Sequence, residues 1–168
     1  MKKRKENILF KSLSEKNRLT FVLAALILCA AAVYIFYPTD EKRIIRVINN
    51  SEDAVADKNI DKLMEYVSYN YRDDYGASYI QIKKILQTVL SRLNDIKIER
   101  TITKISLREN FAEAELDVRV IASEGENRGY IIGDAGQAAA IKIFFEKSSY
   151  KWLIIKVEGV FETSRSAF

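Results

Sequence analysis

The hydrophobic pattern begins with an uninterrupted apolar run over residues 19–37, in which Thr20 is the one clearly polar side chain. A helix of this length spans roughly 28 Å, close to the ~30 Å hydrocarbon core of a bilayer. We therefore predict a transmembrane anchor helix, with aromatic rings at its outer end favouring the membrane interface. The predicted membrane contacts near its two ends are Leu19, Phe21, Tyr34, Phe36 and Tyr37.

Charge on either side of this run predicts its orientation. Residues 1–18 carry seven basic and two acidic side chains, whereas residues 40–168 carry 20 basic and 21 acidic ones. The positive-inside rule then predicts a cytoplasmic tail at 1–18 and a periplasmic or extracellular C-terminal part. A cleaved signal peptide is the alternative, since Ala30 to Ala32 resemble a cleavage site, but the apolar run continues beyond them.

Two segments with helical spacing follow the apolar run. Asp40 is suited to cap a helix over 41–57, whose apolar residues fall on one face. Asn59 is suited to cap a shorter helix over 60–67. The next ten residues mix aromatic side chains, aspartates and a glycine without helical periodicity, which predicts a loop.

A third and stronger helix begins at Ser78, where Ser78 and Gln81 fit a capping box. Its apolar residues recur at helical spacing, which predicts one face laid against a sheet. That stripe consists of Ile82, Ile85, Leu86, Val89, Leu90 and Leu93.

Alternating apolar and polar residues then predict about four strands. A change of parity near Thr103 and Lys104 predicts a bulge or sharp bend. In the last strand the pattern predicts that Leu153, Ile155 and Val157 face one way. The glycine-rich stretch 124–137 predicts a loop with a hairpin tip near 130–132. The predicted strands cover 96–107, 112–120, 139–145 and 152–157.

Helices followed by antiparallel strands predict an α+β fold, with three helices on one face of a curved sheet. We place this domain at residues 40–161 and a flexible C-terminal tail at 162–168.

Composition limits the chemistry of this domain. The chain has no histidine and one cysteine, Cys29, which lies in the apolar run. A disulfide within the domain and a cysteine- or histidine-based metal site are therefore excluded. The near-neutral charge beyond residue 40 argues against nucleic-acid binding. We predict no metal, no cofactor and no nucleic-acid partner.

The stretch from residue 40 to about 160 resembles the NTF2-like superfamily, also called SnoaL-like or cystatin-like. The resemblance rests on the order of elements and on four segments: YRDDYG before the long helix, DIKIERTITKISL, FAEAELDVRV and KWLIIKVEG. It implies a cone with a pocket between helices and sheet. Members include isomerases, dehydratases, ligand binders and assembly modules, so the fold alone does not choose a function.

An unusual cluster of tyrosines and aspartates precedes the long helix. The resemblance makes a pocket site conceivable, because the ketosteroid isomerase branch uses an aspartate base and a tyrosine hydroxyl. The simpler interpretation is that the tyrosines pack under the helix while the aspartates form a turn. The candidate pocket residues are Tyr69, Tyr71, Asp74, Tyr75 and Tyr79.

No catalytic set emerges, so the sequence favours a membrane-anchored, non-catalytic binding or assembly module of the cell envelope. Its partner would be another envelope protein or a second copy, contacted through the exposed sheet face. The alternative is a small-molecule binder or a SnoaL-like or ketosteroid-isomerase-like enzyme that uses the cone pocket.

Overall fold

The computed structural model describes residues 20–29 and 38–159, and the chain divides into two compact units, with the boundary between Thr39 and Asp40. In the first unit residues 20–29 are helical. The predicted anchor is therefore described only in part: Phe21 lies in this helix, while Leu19, Tyr34, Phe36 and Tyr37 lie outside the described residues. Within 20–29 and 38–159, no helix is both long enough and apolar enough to cross a membrane.

The second unit has the predicted order of helices before strands. Its elements are α1 (Asp40–Ala56), α2 (Ile60–Met64), α3 (Tyr79–Arg92), β1 (Leu93–Arg108), β2 (Phe111–Glu124), β3 (Asn127–Ile132), β4 (Ala139–Ser148) and β5 (Lys151–Glu158).

One antiparallel sheet joins all five strands in the order β1-β2-β4-β5, with β3 also paired to β2. The prediction of about four strands was short by one, because β3 forms inside the stretch expected to be a loop. Tyr130 pairs with Ile121 there, and Ile132 pairs with Val120. Glycines in and around this short strand obscured its alternation of apolar and polar residues in the sequence.

The predicted bulge in the first strand is confirmed. The register of β1 against β2 shifts between Ile102 and Lys104, which changes the parity of the inward-facing residues. The Thr103 hydroxyl donates to the carbonyl of Glu115 at 3.0 Å across this irregularity. A second shift near Asp95, which has a φ of 49°, was not predicted.

Helix α2 begins as predicted but ends three residues early. The side chain of Asn59 accepts a hydrogen bond from the Lys62 amide at 3.0 Å, which confirms its capping role. After the helix, the backbone runs along the free edge of β5. The Tyr66 carbonyl accepts a hydrogen bond from the Ile154 amide at 2.8 Å, and the Ser68 amide donates one to the Ile154 carbonyl at 2.9 Å. Pairing with the sheet edge thus replaces the last predicted helical turn.

The predicted parity of the last strand was wrong for its first half. Trp152 and Ile154 are buried, whereas Leu153 and Ile155 are only half-buried. A register shift between Phe144 and Phe145 changes the parity, and Val157 packs against the core, so the three residues do not all face one way.

Apolar side chains fill the space between the helices and the inner face of the sheet, which is the face that the helices cover. The largest fully buried side chains are Trp152, Phe145 and Ile44. The same cluster includes Val47, Ile48, Met64, Tyr71, Leu116, Val118 and Ile141. The cone that the sequence predicted therefore has a packed interior.

Asp40 secures the start of α1 to the β4–β5 hairpin. Its carboxylate accepts from Lys147 Nζ at 2.6 Å and from the indole Nε1 of Trp152 at 3.1 Å. Arg43 adds a bond from Nη1 to the carbonyl of Tyr150 at 3.3 Å. The residue expected to be an N-cap is the first residue of the helix, and it serves a tertiary contact. The hydrogen bond from Lys147 holds the pKa of Asp40 below its usual value.

We expect Asp40→Asn to lower the free energy of unfolding at neutral pH by about 1 to 2 kcal/mol, because it removes a charged acceptor shared by two donors. Folding lowers the pKa of Asp40, so its contribution is present above the unfolded pKa and is lost as the pH falls through the folded pKa. The difference from wild type should shrink in acid. Urea unfolding followed by Trp152, the one tryptophan, measures it. The exposed Asp53→Asn is the control, and an equal loss in both variants would contradict the prediction.

Candidate functional site

The loop before α3 is held in shape by a buried carboxylate. Asp73 is 8% exposed, and its Oδ1 accepts from the amides of Tyr75 at 3.0 Å and Ala77 at 2.8 Å. Gly76 has a φ of +80°, a conformation that costs glycine little. These bonds leave Tyr75 70% exposed at the surface beside α3.

Two of the candidate tyrosines have very different surroundings. Tyr71 is 5% exposed within the core, and burial together with the charge of Asp73 raises the pKa of its phenol to about 12. Tyr69 is 86% exposed, with its ring 4.6 Å from that of Tyr79 at a tilt of 43°. The phenol of Tyr71 therefore stays neutral at physiological pH inside the core, while the Tyr69–Tyr79 pair lies at the surface.

Asp74 points away from both environments. Its carboxylate pairs with Lys156 Nζ at 2.6 Å, and Glu158 pairs with the same ammonium at 2.6 Å. Hydrogen bonds to these carboxylates raise the pKa of Lys156 to about 12. The five candidate residues are thus distributed over the core, the surface and an ion pair, and the structure does not bring them together around one cavity.

An open groove lies between this loop and one flank of α3, with a volume of about 540 Å³. Its apolar lining comes from Tyr75, Ala77, Ile85 and Val89. Its polar lining comes from Gln81, Thr88 and Lys84, the one charged residue among them. We refer to this surface as the α3 groove.

The width of the apolar stripe on α3 explains the groove. Ile82 and Leu86 pack against the core and Leu90 is buried, but Ile85 is 39% exposed and Val89 is 43% exposed. The prediction that the whole stripe would lie against the sheet was therefore wrong for these two residues. At about 100° per residue, Ile85 and Leu90 are about 140° apart around the helix. An apolar arc of this width cannot be covered completely by one sheet face. That width was visible in the sequence and could have indicated a second contact surface.

Three polar side chains at the margin of the core are paired with one another. The guanidinium of Arg100 on β1 donates to Glu52 and to Asn49 on α1. This arrangement joins α1 to the sheet at the margin of the core. Among the described residues, no three histidine, cysteine or acidic side chains are grouped as metal ligands would be.

The outer face of the sheet, opposite the helices, is covered by ion pairs. Lys142 Nζ lies 3.2 Å from Glu113 and 3.8 Å from Glu115, and Lys104 also lies 3.8 Å from Glu115. Exposed pairs of this kind contribute little to stability, but they leave a hydrated, charged surface. The sheet face is therefore less suited to an apolar partner than the α3 groove.

Solved structures share the fold of this chain at low sequence identity. An NTF2-like protein from Shewanella oneidensis matches with a TM-score of 0.52 and 15% identity, over 71% of this chain and 97% of that one. A cystatin-like protein from Nostoc punctiforme matches with a TM-score of 0.56 and 15% identity, over 70% and 87%. A candidate scytalone dehydratase from Novosphingobium aromaticivorans matches with a TM-score of 0.59 and 12% identity, over 70% and 80%. The fold is thus NTF2-like, as predicted.

A longer structure, Bd1075 from Bdellovibrio bacteriovorus, matches with a TM-score of 0.56 and 15% identity over 68% of this chain, and the chain covers 39% of it. No protein-family model matches the sequence, and no curated protein matches it either. At these identities the likeness concerns the fold, and any function must be argued from the residues.

We expect Asp73→Ala to destabilise the loop that carries Tyr75, because two backbone amides lose their acceptor. The free energy of unfolding should fall by about 1 to 3 kcal/mol. The neighbouring Asp74→Ala is a matched control that breaks an exposed ion pair, with an expected cost of about 0 to 1 kcal/mol. Urea unfolding of both variants tests this, and equal losses would contradict the role given to Asp73.

Proposed function

We propose that this chain is a membrane-tethered, non-catalytic NTF2-like module that binds a protein partner in the cell envelope. The observation that carries the proposal is the packed interior combined with an exposed apolar groove. Because side chains fill the interior of this cone, we expect a partner to be recognised at its surface. The groove is where apolar surface remains open to a partner.

The tether is supported by the helix over residues 20–29. Its large apolar side chains are 57% to 70% exposed within the chain, which is unfavourable in water and favourable in lipid. These residues are Phe21, Val22, Leu23, Leu26, Ile27 and Leu28. Together with the apolar run over 19–37 and the basic tail before it, they favour a single-pass anchor with the folded domain outside the cytoplasm.

The shape of the α3 groove favours a polypeptide as the partner. The groove is open to solvent, whereas small-molecule sites enclose most of their ligand. Its lining suits an apolar segment with an acidic group opposite Lys84. A second copy fits less well, because an isologous contact brings the same patch onto itself and would bring two Lys84 side chains together.

Enzymatic use of the interior is not favoured. The candidate dehydratase from Novosphingobium aromaticivorans shares the fold, but here the large side chains of Phe145, Trp152 and Ile44 are buried in the interior of the cone. Tyr71 and Asp73, which have residue types suited to acid–base chemistry, are engaged in the core and in the loop.

The orientation predicts opposite labelling of two cysteines in intact cells. In the full chain with Cys29→Ser, Glu126→Cys should react with a membrane-impermeant maleimide applied from outside the cytoplasmic membrane. Lys5→Cys should react only after that membrane is permeabilised, because the basic tail stays inside. Equal protection of both positions, or the reverse pattern, would contradict the proposed topology.

The groove predicts position-specific crosslinking. A photo-crosslinking amino acid at Ile85 in the full chain should form an adduct with one envelope protein in cells, and Val89→Asp should abolish that adduct by placing a charge in the groove. Gln87 is the control, since it lies about 200° around α3 from Val89. A crosslinker at Gln87 should give no such adduct, and Gln87→Asp should leave the adduct at Ile85 intact.

Equal adducts from positions 85 and 87, or none from either, would contradict the groove as the binding surface. An adduct of twice the mass of the chain would make the partner a second copy and overturn the argument from Lys84.

A further inference from the structure

We propose that the partner's contact extends from the α3 groove across α3 to a second apolar surface, with Lys84 between the two. This second surface consists of Tyr69, Tyr79 and Ile80, and we refer to it as the Tyr69 ridge. The partner segment that fits both surfaces carries an acidic residue between two apolar ones. The inference rests on the groove function proposed above, and it adds a larger contact area and the residue pattern of the partner.

Tyr69 is held at the surface by a backbone that is fixed on both sides of it. The hydroxyl of Ser68 donates to the Glu146 carboxylate and accepts from the Asn70 amide at 3.0 Å. The side-chain amide of Asn70 donates to the same carboxylate at 3.1 Å. Ser68 is 3% exposed, whereas Tyr69 is 86% exposed. A large ring presented on a fixed backbone loses little conformational entropy when a partner covers it.

Tyr79 and Ile80 extend this surface onto the start of α3. The ring of Tyr69 lies 4.6 Å from the ring of Tyr79, which also packs against the core. Ile80 follows directly and is 77% exposed. At about 100° per residue, Ile80 points about 160° away from Ile82, which packs against the core. Ile80 therefore adds apolar surface that no packing within the domain explains.

Lys84 connects the ridge to the groove. It lies four residues after Ile80, so the two side chains are neighbours on the helix surface, and it also lines the groove. A contact that covers both surfaces crosses α3 obliquely, from Ile80 to Val89 about two and a half turns later. Gln87 lies off this line, on the side of Lys84 that faces away from Val89. It therefore remains a control position for the larger contact.

The charge of Lys84 indicates the chemistry of the partner. Helix α3 contains three basic residues and no acidic one. Lys83 pairs with Asp61 at 2.8 Å, but within residues 38–159 Lys84 makes no ion pair. By contrast, Lys142 and Lys156 on the sheet each pair with two carboxylates. An ammonium group between two apolar surfaces favours an acidic group on the partner.

Photo-crosslinking in the full chain tests the extent of the contact. A photo-crosslinking amino acid at Ile80 should form an adduct with the same envelope protein as one at Ile85, as identified by mass spectrometry of both adducts. Leu107 is the control position, because it is 47% exposed and lies on β1, at the opposite edge of the sheet from β5 and the segment before Tyr69. A crosslinker at Leu107 should give no adduct with that protein.

Substitutions test the apolar and charged parts separately. With the crosslinker at Ile85, Tyr69→Ala should lower the adduct yield about fivefold or more, because it removes an aromatic anchor. Leu107→Ala should leave the yield unchanged. Lys84→Gln should lower the yield several-fold, and Lys84→Arg should restore most of it, because arginine keeps the positive charge. Trp152 fluorescence verifies the folding of each variant.

The outcomes separate this inference from the groove function. If the adduct at Ile85 persists while position 80 gives no adduct with the same protein, or while Tyr69→Ala leaves the yield unchanged, the ridge is overturned and the groove stands. An unchanged yield in Lys84→Gln overturns the acidic residue assigned to the partner. If neither position 80 nor position 85 gives an adduct, the groove function fails and the larger contact fails with it.

Discussion

Apolar packing between α1 and the inner face of the sheet is the constraint on which the rest of the structure depends. Trp152 is 2% exposed, while Phe145 and Ile44 are fully buried, and each projects into the space that the cone would otherwise enclose. Burial of side chains this large supplies much of the folding free energy. The same packing fills the space between α1 and the sheet with apolar side chains.

The surface of this domain is divided by chemistry. Lys142 and Lys156 form ion pairs with carboxylates on the outer sheet face. The exposed side chains of Ile85 and Val89 make the α3 groove apolar. In the proposed function, a tether would raise the effective concentration of such a groove toward partners in the same membrane. A modest apolar contact is then sufficient for association, which suits a groove of about 540 Å³.

Local signals in the sequence predicted the elements well where a single residue sets the geometry. Asn59 caps α2, Gln81 accepts from the Ser78 amide at the start of α3, and the parity change near Thr103 marks a real register shift. Errors occurred where a distant contact competes with local preference. Residues 65–68 leave the helix to pair with β5, and the shift beside Phe144 changes the parity of the last strand.

The candidate site was less predictable than the fold, since it depends on which part of an apolar stripe the sheet leaves uncovered. Spacing placed Ile85 and Val89 on the apolar side of α3, yet only the packed structure separates them from Leu90. The tyrosine cluster was misleading for a different reason. Residues that are close in sequence, such as Tyr69 and Tyr71, lie in different environments in the structure.

Backbone amide hydrogen exchange of the full chain tests the central claim that function lies in the groove. Exchange would be compared between native membranes and detergent-purified protein. The account predicts slower exchange in native membranes for residues 75–89, which line the groove, and unchanged exchange for β2 in the core. Unchanged exchange over 75–89, or slowing confined to the residues around Trp152, would contradict it.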